Sequence, residues 1–158
     1  MDLTFRTENG IFNYRVCAII LHSGRLLAMK NNNTPNYFLP GGRVKLHESA
    51  DAAIKRELKE ELGIDANIVR PLWFVQLFFI DDGCGEKFHE LCVYYLVDVS
   101  DTDLIKHDKF AGLETKNNEV FEWLDTDTIK EQYLYPLFIK EKINNLPESF
   151  EMLTEYEY

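Results

Sequence analysis

Apolar runs of strand character alternate with short polar breaks along the chain. Tyr14 to Leu21 (YRVCAIIL) is an apolar run with β-branched content, followed by a turn at His22-Ser23-Gly24 and a second short run, Arg25 to Lys30. Together they predict a hairpin. Asn31 to Pro35 (NNNTP) reads as a loop by composition, and Tyr37 to Leu39 as a short strand leading through Pro40 into Gly41 and Gly42. Farther on, Ile68 to Ile80 and Lys87 to Val99 flank Asp81 to Glu86 (DDGCGE), a segment of strong turn chemistry that predicts a second, long hairpin. Both of its runs are apolar at odd and even positions alike, so both faces of the sheet need cover. A last strand is predicted over Glu119 to Leu124. A closing helix is predicted from Thr128 to Asn144, opened by Thr128 and Glu131 as a capping box and kinked or interrupted at Pro136.

Between the two hairpins the period changes. On a helix of about 100° per residue, Ala50, Ile54, Leu58 and Leu62 form one apolar stripe, with Glu57, Glu60 and Glu61 on a neighbouring arc. Gly63 is placed to end this helix in a left-handed conformation. A sheet covered on one side by this helix and on the other by the closing helix makes an α/β fold, an α/β/α sandwich around a mixed central sheet. No repeat, low-complexity segment or Pro/Gly/Ser linker divides the chain, and 158 residues with 46% hydrophobic content suffice for one core, so residues 1–158 read as a single domain.

Charge and cysteine content narrow the function classes. A formal net charge of -10 argues against stable nucleic-acid binding, which calls for a basic face. Cys17, Cys84 and Cys92 form no CxxC pair and read as free thiols of a reducing compartment. The start, MDLTFRTENG, lacks the basic and apolar regions of a signal peptide, and no run reaches the length of a membrane span. The expectation is a cytoplasmic protein without membrane contact, for which a homodimer is compatible.

The helical acids carry the chemistry. Like charges three and four residues apart destabilise a helix by a few tenths of a kcal/mol per pair, so Glu57, Glu60 and Glu61 call for a compensating partner. A hard divalent cation is one. Salt bridges from Lys55, Arg56 and Lys59 are another, and the helix alone leaves the choice open.

The glycines upstream resolve it. Gly42, five residues, Glu48, seven residues, then Arg56-Glu57-Leu58-Lys59-Glu60-Glu61-Leu62-Gly63-Ile64 matches every fixed position of the box G-x5-E-x7-R-E-U-x-E-E-x-G-U, where U is a bulky aliphatic residue. The chain thus resembles the Nudix hydrolases. That resemblance implies a Nudix-type sandwich in which a loop-helix-loop binds Mg²⁺ or Mn²⁺ and cleaves a phosphoanhydride in a nucleoside diphosphate linked to another moiety. It implies metal ligands at Glu57, Glu60 and Glu61, joined by a backbone carbonyl at Gly41. Arg56 is expected to orient the glutamates, and Glu48 to support the loop. Within the family the general base is either a glutamate of the helix, here Glu57, or a distant acid, for which Glu114 and Glu119 are the candidates. Arg43, directly after the glycines, is expected to reach a substrate phosphate, and Glu90, an acid inside an apolar strand, to line the substrate cleft. The partner is a small-molecule nucleotide. The proline and tyrosine that mark the ADP-ribose and diadenosine polyphosphate branches downstream of the box are replaced by Phe79, Ile80 and Asp81. A ligand-sensing module without turnover is the alternative function.

Overall fold

A computed structural model describes residues 1–158. The first strands are β1 (Thr4–Thr7), β2 (Gly10–His22), β3 (Arg25–Asn31), β4 (Thr34–Phe38) and β5 (Gly41–Arg43). Helix α1 (Ala50–Leu62) follows, then β6 (Asn67–Ile80), β7 (Lys87–Asp98), β8 (Lys109–Ala111) and β9 (Val120–Asp125). Short 3-10 turns lie at Asp103–Lys106 and Thr126–Glu131, and the chain closes with α2 (Phe138–Lys142) and β10 (Glu151–Glu157).

The strands form one mixed sheet in the order β10-β6-β7-β2-β3-β9-β8, with β1 and β5 also paired to β2 and β4 to β3. β2 runs parallel to β7, and β10 parallel to β6; the other pairings are antiparallel. Alternate residues of β2 feed two cores. Val16, Ala18 and Ile20 pack with Ile54, Leu58 and Leu62 of α1 on one face, while Cys17 and Ile19 pack with Trp73, Tyr94 and Phe138 on the other. The predicted sandwich and its mixed sheet are therefore present. The helical stripe is buried as predicted at Ile54, Leu58 and Leu62, with Ala53 added and Ala50 only half-buried. Truncating a fully buried leucine such as Leu58 to alanine costs about 2–5 kcal/mol.

Three expectations need correction. The closing helix is interrupted at Pro136 as expected, but the break is wider and the first part is not α-helical: a 3-10 turn ends at Glu131, a bridge pairs Tyr37 with Leu134, the Tyr135–Pro136 peptide is cis, and helix resumes only at Phe138. Proline has no N–H to offer a helical ladder and a fixed φ, so the helix cannot run through it. The Thr128–Glu131 capping box does not form either, because Asp125 caps the turn by accepting from the Asp127 N–H at 2.8 Å. Finally, Thr34 and Pro35, read as loop, begin β4, since Asn31 turns the chain tightly through its side chain, which accepts from the Asn33 N–H at 2.8 Å. No helix is long and apolar enough to cross a membrane, and all three cysteines are free thiols, Cys17 and Cys92 buried.

Candidate active site

α1 is fixed at both ends before it presents any chemistry. Ser49 caps it by accepting from the Ala52 N–H at 3.2 Å, and Gly63 ends it at φ +70°, donating to the Lys59 carbonyl at 3.0 Å. Arg56 projects from the middle of the helix as a hub. Its Nε and Nη2 grip the two oxygens of Glu48 at 2.7 and 3.0 Å, and Nη2 also donates to the Arg43 carbonyl at 3.0 Å. Nη1 reaches Glu57 at 2.7 Å and Glu60 at 3.4 Å. The guanidinium hydrogen bonds hold the Glu48 carboxyl down at about 2, so Glu48 is a fixed anion that locks the loop to the helix.

The glycines are needed for space. A Cβ on Gly42 would lie 2.3 Å from the Glu57 carboxyl carbon, so the strand backbone lies directly against that carboxylate. Gly41 has φ +150°, and a side chain there would meet the Val16 carbonyl oxygen at 2.1 Å. What the structure shows at Gly41 is its N–H, which donates to Glu61 Oε2 at 3.2 Å.

Glu61 is 4% exposed, a burial that is costly for an ionised carboxylate. Burial, reinforced by the charges of Glu57 and Glu119, pushes its carboxyl up to about 9. Two acids from the far end of the chain face it: carboxylate oxygens of Glu61, Glu114 and Glu119 lie within 4.8 Å of one another. The loop carrying them is tied to α1 by the Leu113 N–H on the Glu61 carbonyl at 2.9 Å, and to the start of β9 by the Gly112 N–H on the Glu119 carbonyl at 2.9 Å. Burial also raises Glu57, against the pull of Arg56, and raises Glu119, with the charge of Glu114 adding to it. Glu119 Oε2 is buried with no hydrogen-bond partner. A converging set of carboxylates with an orphaned oxygen fits a hard cation held by oxygen ligands. Glu60, more exposed, stands at the rim, tied to this group through Arg56.

The other predicted residues lie on the opposite face of the sheet, one step from the glycines. Arg43 is paired across strands with Arg15, and Arg15 with Cys92 next to Glu90. Glu90 is buried at 5%, 3.5 Å from Asn13 Nδ2 and 3.9 Å from Arg15 Nη1, and burial raises its carboxyl against the pull of Arg15. Arg15 Nε is buried without an acceptor. Sequence reasoning missed Arg15 and Asn13: Arg15 stands inside the run Tyr14 to Leu21 and Asn13 just before it, and their shared face with Glu90 emerges only from the pairing of β2 with β7.

The NUDIX domain pattern matches residues 12–142. The chain belongs to that family. Its box and fold are those of a Nudix pyrophosphohydrolase. The chain is 28% identical over 123 residues to mRNA-decapping protein D10 of fowlpox virus, a match covering 75% of this chain and 53% of that protein. It therefore spans about half the length of that curated relative. Among solved structures, a MutT NUDIX hydrolase from Burkholderia pseudomallei is 27% identical, with a TM-score of 0.53, 73% of this chain and 84% of that chain covered. A MutT protein from Bacillus halodurans shares the fold at 16% identity, with a TM-score of 0.62 over 92% of this chain and 90% of that one.

Proposed function

We propose that this Nudix domain is a divalent-metal-dependent hydrolase that cleaves a phosphoanhydride bond in a nucleoside diphosphate linked to another moiety. The observation that carries the reading is the convergence of Glu61, Glu114 and Glu119 within 4.8 Å, beside Glu57 and against the glycine strand. Glu57, Glu60 and Glu61 would hold Mg²⁺ or Mn²⁺ together with Gly41 and Glu114, which leaves Glu119 beside the ion. When bound, the ion supplies Lewis-acid neutralisation of the negative diphosphate oxygens.

The chain's own residues do the remaining work. Arg56 orients Glu57 and Glu60 and holds the Arg43 backbone, so the loop, strand and helix keep one geometry during turnover. Glu119 Oε2, free of any donor, takes the proton of the attacking water. Glu57 is the weaker choice for that role, because its bond from Arg56 at 2.7 Å stabilises the anion and lowers its basicity. The water oxygen joins one phosphorus, the bridging oxygen leaves with the other, and two phosphate-bearing products result. Arg43 and Arg15 offer donors to the portion of the substrate beyond the scissile bond, and Glu90, held by Asn13, offers an acceptor.

The fowlpox relative's name states mRNA decapping, and a cap is itself a nucleoside joined through phosphoanhydrides, so a capped RNA belongs beside small nucleotides among trial substrates. With a chain charge of -10, the preferred partner is a small-molecule nucleotide, acted on in the cytoplasm. Release of the two phosphate-bearing products from ADP-ribose, diadenosine polyphosphates, nucleotide sugars, oxidised deoxynucleotides and capped RNA, separated by ion-exchange chromatography, each with Mg²⁺ and with chelator, tests the reading. Release from none of them with Mg²⁺ would sink it.

A further inference from the structure

The α1 side of the sheet is covered by that helix only in part. Beyond the helix, cross-strand pairs place Phe5 opposite Phe12, Phe12 opposite His89, His89 opposite Phe78 and Phe78 opposite Tyr156. One row of rings therefore crosses five neighbouring strands, β1-β2-β7-β6-β10, with centroids 5.0, 5.7, 4.4 and 5.0 Å apart. Much of it faces solvent: Phe5 is 59% and Tyr156 68% exposed, flanked by Met152 at 66% and Tyr158 at 73%.

β10 makes the arrangement hard to reconcile with a surface left in water. Its residues alternate between the two faces, and the inward set is Leu153, Glu155 and Glu157, while Met152, Tyr156 and Tyr158 point outward. Burial raises the Glu157 carboxyl, which accepts from the Leu137 N–H at 2.6 Å. A strand that half-buries its acids and exposes its rings has its outward face adapted to something other than water.

We propose that the occupant is a second copy of this chain, docked sheet to sheet through the aromatic row in a two-fold dimer. Charge selects this partner. The chain holds 27 acidic residues against 17 basic ones, yet the outward positions of these five strands in the aromatic row and its two neighbouring rows carry no aspartate or glutamate; Lys87 and His89 are their titratable side chains apart from the tyrosines. Two copies with a charge of -10 repel over most of their surface, and an acid-free face is where they can meet. A nucleic acid would instead require several cations, which this face does not supply. Area agrees. Aromatic side chains present about 150–250 Å² each, so the exposed fractions of Phe5, Met152, Tyr156 and Tyr158 with the half-buried rings between them offer roughly 600 Å² per copy. Two copies together reach about 1,200 Å², the lower end of standard interfaces at about 1,200–2,000 Å² in total. Sheet faces pack about 10 Å apart with side chains interdigitated, and a two-fold axis pairs the row with itself.

Sedimentation velocity from low to high micromolar concentration tests the proposal on the full chain. A dimer is expected for the natural sequence. Tyr156→Glu and Phe5→Glu should each raise the dissociation constant at least about tenfold, while Val69→Glu, an exposed apolar residue outside the face, leaves it unchanged. Melting temperature and nucleotide hydrolysis are followed on every variant, and Met152→Glu on the exposed side of the edge strand replaces any that fails to fold. Hydrolysis without dimerisation would overturn this inference and leave the proposed function standing. A natural chain that stays monomeric overturns it, as does a dimer untouched by the folded variants. A monomer that binds single-stranded RNA in a Tyr156-dependent manner assigns the face to RNA instead and also overturns it.

Discussion

Glu61→Gln separates the electrostatic cost of the site from its chemical use. In the unfolded chain the Glu61 carboxyl titrates at its ordinary 4.5; in the folded chain it holds its proton to about 9. Stability from this group is therefore fully present below 4.5 and is lost as pH rises toward 9. At pH 7, keeping the proton against an unfolded chain that has released it costs about 3 kcal/mol, at about 1.4 kcal/mol per pH unit. The amide keeps the acceptor for the Gly41 N–H, offers a donor toward the facing acids, and carries no charge to bury. In chelator at pH 7 the variant should melt about 6–12 °C above the natural chain, at about 2–4 °C per kcal/mol for a domain of this size. The gap should widen from pH 6 to 9 and close toward pH 4.5. Mg²⁺ should raise the melting temperature of the natural chain and leave the variant nearly unmoved, and turnover by the variant should be lost. Differential scanning calorimetry with and without Mg²⁺, beside chromatographic detection of the cleavage products on the same samples, reads all of these. A variant that melts lower in chelator across this range refutes the buried-acid reasoning, and one that retains turnover refutes the role of Glu61.

Further tests follow from individual contacts. Gly42→Ala must displace the Glu57 carboxyl, 2.3 Å from the added carbon, and should cost at least about tenfold in kcat while the chain stays folded by circular dichroism. Arg56→Lys keeps one charge but cannot grip Glu48, Glu57 and the Arg43 carbonyl together; melting should fall by several degrees and kcat by about a hundredfold in steady-state assays. Glu119→Gln should lower kcat more than Glu57→Gln does at high pH with saturating Mg²⁺, where a base assigned to Glu57 would give the reverse order. Arg15→Met should raise KM with little change in kcat, since Arg15 lies on the opposite sheet face from the carboxylates.

The box was legible because its chemistry lies within 23 consecutive residues, where helical spacing alone places the stripe and the acids. Glu114 and Glu119 were found only as candidates: their approach to Glu61 depends on a loop fastened by the Leu113 and Gly112 backbone, which no periodicity announces. Arg15 and Asn13 were hidden because the first half of β2 mixes polar and apolar residues, and only pairing with β7 shows that they share a face with Glu90. β10 was unreadable for a different reason. Its alternation, Glu151 to Glu157, puts acids where a core-facing strand has aliphatic residues, so the pattern used to find strands points the wrong way. Pro136 was flagged in the sequence, yet its effect was larger than a kink, because Leu134 bridges to Tyr37 before helix can resume.

The most direct measurement is release of the two phosphate-bearing products from the nucleotide panel, separated by ion-exchange chromatography, with Mg²⁺ and with EDTA, on the natural chain and on Glu60→Gln and Glu61→Gln in parallel. A metal-dependent Nudix hydrolase releases the two phosphate-bearing products from at least one phosphoanhydride substrate with Mg²⁺, loses that release in EDTA, and loses it in both variants while they remain folded. Release that survives EDTA, or that persists in both folded variants, contradicts a catalytic metal held by the helix acids.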